Sequence, residues 1–150
     1  MNIELKILPP SDVSDFSKLI DVFAETFEMK NFIKPDEKHL TELLSKKDFF
    51  VLVAKDGENI CGGLTVYILH QYYSVKPLAY IYDLAIHANY QRKGIGKQLI
   101  ARLNKFCREN NFEEIFVQAD LEDEHALDFY RQTDISIESE VIQFGWKMKS

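Results

Sequence analysis

The spacing of apolar residues changes twice along the chain, and these changes constrain the fold more than any other feature of the sequence. Residues 16–27 and 40–44 place apolar side chains three or four positions apart, which predicts two amphipathic helices. Three dense apolar runs follow, at residues 49–54, 60–69 and 78–87. Such runs are typical of buried strands, and Asp56-Gly57 between the first two is typical of a hairpin turn. Helical spacing then returns from about residue 94 to 110.

Shorter patterns complete the order of elements. They predict a first strand at residues 3–8 and a further strand at residues 114–119. A helix at residues 122–132 and a last strand at residues 140–148 follow. The resulting order, β-α-α-β-β-β-α-β-α-β, predicts an α/β (α+β) fold with a mixed, mostly antiparallel central sheet and helices on both faces. No repeat and no Gly-, Ser- or Pro-rich linker divides the chain, so we expect residues 1–150 to form a single domain.

Composition argues against several classes of protein. The 24 acidic residues outnumber the 18 basic ones, and a formal net charge of −6 argues against nucleic-acid binding, which needs clustered Lys and Arg. No apolar run is long enough to cross a bilayer, and the first residues lack the basic start and apolar stretch of a secretory signal. We therefore expect a cytoplasmic protein that has no membrane partner.

The residue types that most often bind transition metals show no ligand spacing. Cys61 and Cys107 lie inside apolar segments, where we expect buried free thiols in a reducing compartment. The four histidines are scattered along the chain: His39, His70, His87 and His125. The sequence therefore predicts no metal.

Residues 83–97, DLAIHANYQRKGIGK, lead from a buried strand through a short loop into a helix that begins with glycines. Backbone N–H groups at a helix N-terminus bind phosphate, and Gly94 and Gly96 let a phosphate approach the main chain closely. Positive charge comes from Arg92, Lys93 and Lys97. Each glycine weakens a helix by about 1 kcal/mol relative to alanine, which favours a function over a chance helix start. The spacing is neither G-x-G-x-x-G nor that of a P-loop.

The stretch Gln91-Arg92-Lys93-Gly94-Ile95-Gly96 resembles the signature Q/R-x-x-G-x-G/A of the GNAT superfamily of acetyltransferases. The order of elements resembles that family as well, so the resemblance covers essentially the whole chain. Residues 80–86 (YIYDLAI), the signature and residues 115–130 (IFVQADLEDEHALDFY) together resemble the aminoglycoside 3-N-acetyltransferases. The resemblance implies a GNAT fold and an enzyme that transfers an acetyl group from acetyl-CoA to a primary amine by direct attack.

The same resemblance implies roles for individual residues. The backbone of Leu84, Ala85 and Ile86 would pair with the pantetheine arm of acetyl-CoA as an added strand does. The cofactor pyrophosphate would be held by Gln91, Arg92, Lys93, Gly94, Ile95, Gly96 and Lys97. Tyr130 matches the family tyrosine near the thioester sulfur, where a neutral phenol, with an ordinary pKa near ~10, can protonate the leaving thiolate. The structural alternative for Tyr130 is a core aromatic residue.

The acceptor amine is mostly protonated near neutral pH, so it must lose a proton to a carboxylate or an ordered water before it attacks. Carboxylates are therefore the candidates for the general base and for binding the acceptor. Asp83 is the first candidate for the base, since a carboxylate in an apolar strand is costly to bury without a partner or a task. A hydrogen bond within the sheet is the alternative. Asp120, at a strand end, is the next candidate, or else the cap of the following helix. Glu122, Asp123 and Glu124 would line a pocket for a cationic acceptor, or they complement the helix dipole, which is the interpretation we favour for two of the three.

Three functions remain open at this point. The first is an N-acetyltransferase for aminoglycoside-like substrates, which would confer antibiotic resistance. The second acetylates another amine, such as a polyamine, an amino sugar, or a peptide or protein amine. The third is a non-catalytic module that senses acetyl-CoA, against which the presence of both Asp83 and Tyr130 argues. The oligomeric state is not fixed by the sequence, and a homodimer is compatible with it.

Overall fold

The computed structural model describes residues 1–149. Five strands form one sheet in the order β1-β2-β3-β4-β5: β1 (Ile3–Ile7), β2 (Phe49–Asp56), β3 (Asn59–Leu69), β4 (Leu78–Ile86) and β5 (Glu114–Val117). The first four strands pair antiparallel in sequence order, and β5 pairs with β4 in parallel. The predicted mixed, mostly antiparallel sheet is confirmed.

Helices cover both faces of this sheet, as the order of elements predicts. The α-helices are α1 (Val13–Thr26), α2 (Glu37–Leu44), α3 (Ile95–Glu109) and α4 (Glu124–Arg131). On one face, side chains of α1 and α2 such as Leu19 and Leu40 pack with Phe49 of β2. On the other face, Leu99 and Leu103 of α3 pack with Ile81 of β4. No helix within residues 1–149 is long and apolar enough to cross a membrane.

The chain divides into two compact units. The first, Met1–Gln118, contains the whole sheet and the first three helices, and the second, from Ala119 onward, contains α4. The single domain expected from the sequence stays a prediction.

Both cysteines are buried free thiols, as predicted. Burial raises the pKa of the Cys107 thiol to about 11, which keeps this side chain protonated and unreactive at neutral pH. The described residues, 1–149, contain no group of three or more His, Cys, Asp or Glu side chains arranged to hold a metal ion.

A bulge in β4 changes which of its side chains share a face. Thr65 of β3 pairs with Asp83, but the next residue of β3, Val66, pairs with Ile81, so Tyr82 is an extra residue in the ladder. In the predicted strand at residues 78–87, regular pleating would place Ile81, Asp83 and Ala85 on one face. This prediction is wrong, because Ile81 packs in the core on the α3 side while Ala85 packs in the core on the α1 side. The bulge therefore turns Asp83, which shares a face with Ala85, towards the α1 side.

The last predicted strand, at residues 140–148, is not present: within residues 1–149 no strand follows β5. The prediction rested on alternating apolar residues, which show only that one side of an extended segment is suited to burial. A strand also needs a neighbouring backbone that accepts and donates its hydrogen bonds. Alternation of apolar residues therefore indicates that this segment is suited to form a strand, but it does not show whether a neighbouring strand is available.

Candidate active site

Strand β4 extends beyond its pairing with β5. The parallel pairing runs from Leu78 opposite Glu114 to Ile81 opposite Val117, whereas β4 continues to Ile86. No strand within residues 1–149 pairs with this second half of β4 on the β5 side. Free backbone N–H and C=O groups on a strand edge bind extended ligands as an added strand. Residues 84–86, expected to hold the pantetheine arm, lie on this free edge.

The connection from β4 to α3 is held on both of its sides. The backbone N–H of His87 donates to the carbonyl of Cys61 at 2.7 Å, and the next three residues form a short 3-10 helix. Tyr90, at the end of that helix, donates its hydroxyl to Asp56 at 3.3 Å, and the Lys93 ammonium lies 5.9 Å from the centre of its ring. The Gln91 side-chain amide donates to the Ile86 carbonyl at 3.1 Å. These contacts fix where the signature loop, residues 91–97, leaves the sheet.

The backbone of the signature loop has the form of an anion-binding site. Arg92 and Gly94 both have positive φ, at 62° and 78°, and Lys93 between them does not. Turns that contain left-handed residues can direct successive N–H groups towards one concavity, which binds anions. A left-handed conformation is uncommon for a residue such as Arg92 and costs of order 1 kcal/mol or more, so it indicates a functional constraint. Gly94 accepts the first intrahelical hydrogen bond of α3, from Gln98 at 3.1 Å, which leaves the first-turn amides as further donors.

Side chains around this loop divide into buried and exposed ones. Ile95 and Gly96 are buried in the first turn of α3, so they can contribute only their backbone to a ligand. Arg92, Lys93 and Lys97 are exposed, and none of the three forms an ion pair with the residues that the structure describes. Cations that have no carboxylate partner, beside the N–H donors of a helix start, suit a polyanionic ligand.

Asp83 is half-buried within the sheet. Its backbone N–H donates to the hydroxyl of the buried Thr65 at 3.2 Å, whereas its carboxylate forms no hydrogen bond or ion pair with residues 1–149. Burial raises the pKa of the Asp83 carboxyl above its ordinary value. A carboxylate with a raised pKa binds a proton more readily, as a general base for an ammonium group must.

Three tyrosines lie beside Asp83 and form what we call the tyrosine cluster: Tyr67 of β3, and Tyr80 and Tyr82 of β4. The ring of Tyr82 meets those of Tyr67 and Tyr80 edge-on, with centroids 5.5 and 5.9 Å away. Burial, and then the charges of Tyr82 and Asp83, raise the pKa values of Tyr67 and Tyr80, which shows that these phenols lie in the field of the carboxylate. Aromatic faces next to a carboxylate are suited to binding a cation.

Neighbours on β5 and beyond hold the cluster in place. The Tyr80 ring stacks on Phe116 with centroids 4.7 Å apart, and its hydroxyl donates to the side-chain carbonyl of Gln118 at 2.8 Å. Sequence reasoning missed Tyr67 and Gln118 as candidate site residues, because only strand register brings Tyr67 to Tyr82 and Gln118 to Tyr80. The Y-x-Y pattern at 80–82 was the one available signal, and the bulge at Tyr82 made its orientation unreadable from the sequence.

The second unit contains the remaining candidates. Tyr130 is a partly buried residue of α4 whose ring centroid lies 5.0 Å from that of Phe129. Asp123 is the N-cap of α4 and accepts from the backbone of Ala126 at 3.1 Å, so Asp120 is not the cap. The backbone carbonyl of Asp120 accepts from Asp123 at 3.0 Å, and this turn brings Asp120, Glu122 and Asp123 together on an exposed surface.

Known proteins resemble the chain in sequence and in fold. The model of the acetyltransferase (GNAT) family matches residues 16–133. Two crystal structures of the aminoglycoside acetyltransferase meta-AAC0020, from an uncultured soil metagenomic sample, resemble the chain with a TM-score of 0.96 over 98% of this chain and 97% of that one. The complex with trehalose is 51% identical and the complex with sisomicin 50% identical. The aminoglycoside acetyltransferase HMB0005, also from an uncultured soil metagenomic sample, is 30% identical with a TM-score of 0.91 over 99% of this chain and 100% of that one. The curated proteins contain no match.

Proposed function

The chain belongs to the acetyltransferase (GNAT) family, and from this premise we propose that it acetylates a primary amine of an aminoglycoside-like polycation. The observation that carries the proposal is Asp83, a half-buried carboxylate with a raised pKa and no partner within residues 1–149, beside exposed tyrosine rings. An ammonium-bearing acceptor supplies the positive charge that this carboxylate lacks. The sisomicin complex of meta-AAC0020, at 50% identity, supports the choice of acceptor class.

We propose that the acetyl donor is acetyl-CoA and that it binds between the free edge of β4 and the signature loop. Residues 84–86 would hydrogen-bond the pantetheine amides through their backbone. The loop amides and the N-terminus of α3 would hold the pyrophosphate, and Arg92, Lys93 and Lys97 would balance its charge. Because acetyl-CoA is made in the cytoplasm, we place the reaction there, where acetylation of an antibiotic would give resistance.

The proposed reaction needs one base and one acid. Asp83 would take a proton from the acceptor ammonium, directly or through a water, and its raised pKa favours that transfer. The freed amine nitrogen would then bond to the acetyl carbonyl carbon as the carbon–sulfur bond breaks. Tyr130 would donate its phenolic proton to the departing thiolate, a role that rests on the family resemblance of residues 115–130. Two protons leave the nitrogen in all. Asp83 would pass the first one on to water, and the second, lost as the amide forms, would restore the Tyr130 phenol that has protonated the thiolate, so one proton is released in each turnover.

We expect turnover of a polycationic aminoglycoside to depend steeply on salt and that of a monoamine to depend on it weakly. Asp120, Glu122 and Asp123 form an exposed acidic surface that would attract a polycation. Salt screens such attraction over about 10 Å at 0.1 M. The test is release of free thiol from acetyl-CoA across a panel containing sisomicin, spermidine, an amino sugar, a peptide amine and a monoamine, at low and high salt.

The panel also separates the competing functions. A preference for spermidine, the amino sugar or the peptide amine over sisomicin would assign another acceptor class. Acetyl-CoA binding without turnover of any amine would identify a sensor module. Equal and salt-insensitive kcat/KM values for sisomicin and the monoamine would contradict the role of the acidic surface.

Replacing Gly96 with Val is expected to weaken acetyl-CoA binding. Gly96 is buried in the first turn of α3, and we expect an added branched side chain to shift the neighbouring amides, which we propose hold the pyrophosphate. Loss of one hydrogen bond to a charged group is worth about 1.5–3 kcal/mol, which corresponds to roughly a ten- to hundredfold loss of affinity. Calorimetry with acetyl-CoA measures the change, and thermal unfolding checks that the fold survives. Unchanged affinity in a folded variant would place the pyrophosphate elsewhere.

A further inference from the structure

Thr65 of β3 is one of two polar or charged residues that are buried within residues 1–149, and the other is Asp15. The Asp15 carboxylate forms an ion pair with the Lys55 ammonium at 2.7 Å, which gives its charge a partner. Thr65 is 6% exposed, and its hydroxyl accepts a hydrogen bond from the backbone N–H of Asp83 at 3.2 Å. A buried hydroxyl is unfavourable unless it is hydrogen-bonded, and this one is bonded to the residue that we propose as the general base.

The bulge in β4 places two residues opposite Thr65. On either side of the bulge the pairing is regular, with Leu84 and Ile81 of β4 each opposite a single residue of β3. Tyr82 and Asp83 therefore share one partner. These flanking pairs do not determine which of the two residues pairs with Thr65. The Thr65 hydroxyl selects Asp83, because it accepts from the N–H of that residue.

This selection decides which face of the sheet Asp83 occupies. Successive residues of a strand point to opposite faces, and the residues before and after Thr65 in β3 both pack in the core on the α3 side. Thr65 therefore faces the α1 side, and Asp83, directly opposite, shares that face. The tyrosine cluster lies there too, because the ring of Tyr67 packs on that of Phe49, a residue of the core on the α1 side, with centroids 5.0 Å apart.

We propose that Thr65 is a positioning residue, whose hydroxyl holds the bulge of β4 in the register that directs Asp83 towards the tyrosine cluster. The inference rests on the proposed role of Asp83 as the base. Threonine is branched at Cβ and therefore stiff at χ1, so its buried hydroxyl is an acceptor with a fixed position. Misplacement of a reacting group by about 1 Å can lower a rate by roughly 10²-fold, so a local change of register is enough to impair catalysis.

Replacement of Thr65 by Val removes the hydroxyl and keeps the branched shape. We expect kcat/KM with sisomicin to fall by roughly ten- to hundredfold, whereas Thr65→Ser, which keeps the hydroxyl, should retain nearly the activity of the wild type. Calorimetry should show an unchanged affinity for acetyl-CoA in both variants, because residues 84–86 pair regularly with β3 beyond the bulge. Thr41→Val makes the same change in α2 and is the matched control.

Combination with Asp83→Asn tests whether Thr65 acts through Asp83. If it does, Thr65→Val should lower kcat/KM no further once the carboxylate has been removed. A threonine that serves only the packing of the sheet would lower kcat/KM by the same factor in both backgrounds. Thermal unfolding of the wild type, the two single variants and the double variant shows whether each protein is folded.

Three results would overturn the inference and leave the role of Asp83 intact. They are wild-type kcat/KM in Thr65→Val, equal losses in Thr65→Val and Thr65→Ser, and an undiminished effect of Thr65→Val in the Asp83→Asn background. Full activity of Asp83→Asn would overturn the inference together with the proposed base. If Thr65→Val does not fold, Thr65→Ala takes its place in every comparison, because Thr65→Ser and Thr65→Ala differ from each other in the hydroxyl alone.

Discussion

Replacement of Asp83 by Asn is expected to lower kcat/KM by roughly 10²–10⁴-fold near neutral pH, the usual range for loss of a general base. The amide has nearly the same size and shape as the carboxylate, so the backbone hydrogen bond of residue 83 to Thr65 remains. What is lost is the group that accepts the ammonium proton. Steady-state kinetics with sisomicin measure the effect. Asp48→Asn, which changes an exposed carboxylate just before β2, is the control.

The same substitution is expected to stabilise the fold near neutral pH. Burial raises the pKa of Asp83 in the folded protein above its ordinary value of 3.8, so the folded state holds the proton more tightly than the unfolded state. Stability is therefore lost as pH rises through the raised pKa, and Asn, which has no charge to bury, avoids that loss. The Tm of Asp83→Asn should exceed that of the wild type at neutral pH, and the gain should vanish below pH 3.8. An inactive variant that is also less stable would mean that Asp83 is structural, and an active one that Asp83 is not the base.

Lower activity together with higher stability in Asp83→Asn would show that Asp83 favours catalysis at the expense of folding stability. A half-buried carboxylate without a partner is unfavourable for folding, and a reaction that needs a base is a physical reason for keeping it. The pH dependence of kcat/KM should show the same group, because activity falls as Asp83 gains its proton.

The fold was predictable because the sequence of each segment, taken alone, indicates most of its helices and strands. Apolar spacing in residues 16–27 and 94–110 has the helical period, and the runs that became β2, β3 and β4 are dense and apolar. The signature loop was predictable for a similar reason: two glycines beside three basic residues have a meaning that does not depend on distant parts of the chain. Local chemistry therefore determined the order of elements and pointed to the candidate anion site.

Features that depend on pairing between distant strands were not predictable. The extra residue at Tyr82 exists only in relation to Thr65 and Val66, yet it decides that Ile81 and Asp83 lie on opposite faces. The tyrosine cluster depends on the same register, because Tyr67 of β3 contacts Tyr82 of the neighbouring strand β4. Residues 140–148 do not form the predicted strand within the part of the chain that the structure describes. Alternation of apolar residues is a property of one segment, whereas the hydrogen bonds of a strand require a second segment.

Replacement of Tyr130 by Phe is expected to lower kcat by about 100-fold or more while leaving acetyl-CoA affinity nearly unchanged. Phe keeps the ring that packs against Phe129 at 5.0 Å and removes only the hydroxyl, so the α4 helix should retain its stability. Without that hydroxyl the departing thiolate must take its proton from water, which raises the barrier of the chemical step and not of binding. Turnover with sisomicin, calorimetry with acetyl-CoA and thermal unfolding together separate these effects. Tyr72→Phe, which removes a hydroxyl from a 98% exposed loop residue, is the matched control and should keep full activity. If Tyr130→Phe also keeps nearly full turnover, the residue serves the packing of α4, and the proton for the thiolate comes from another donor.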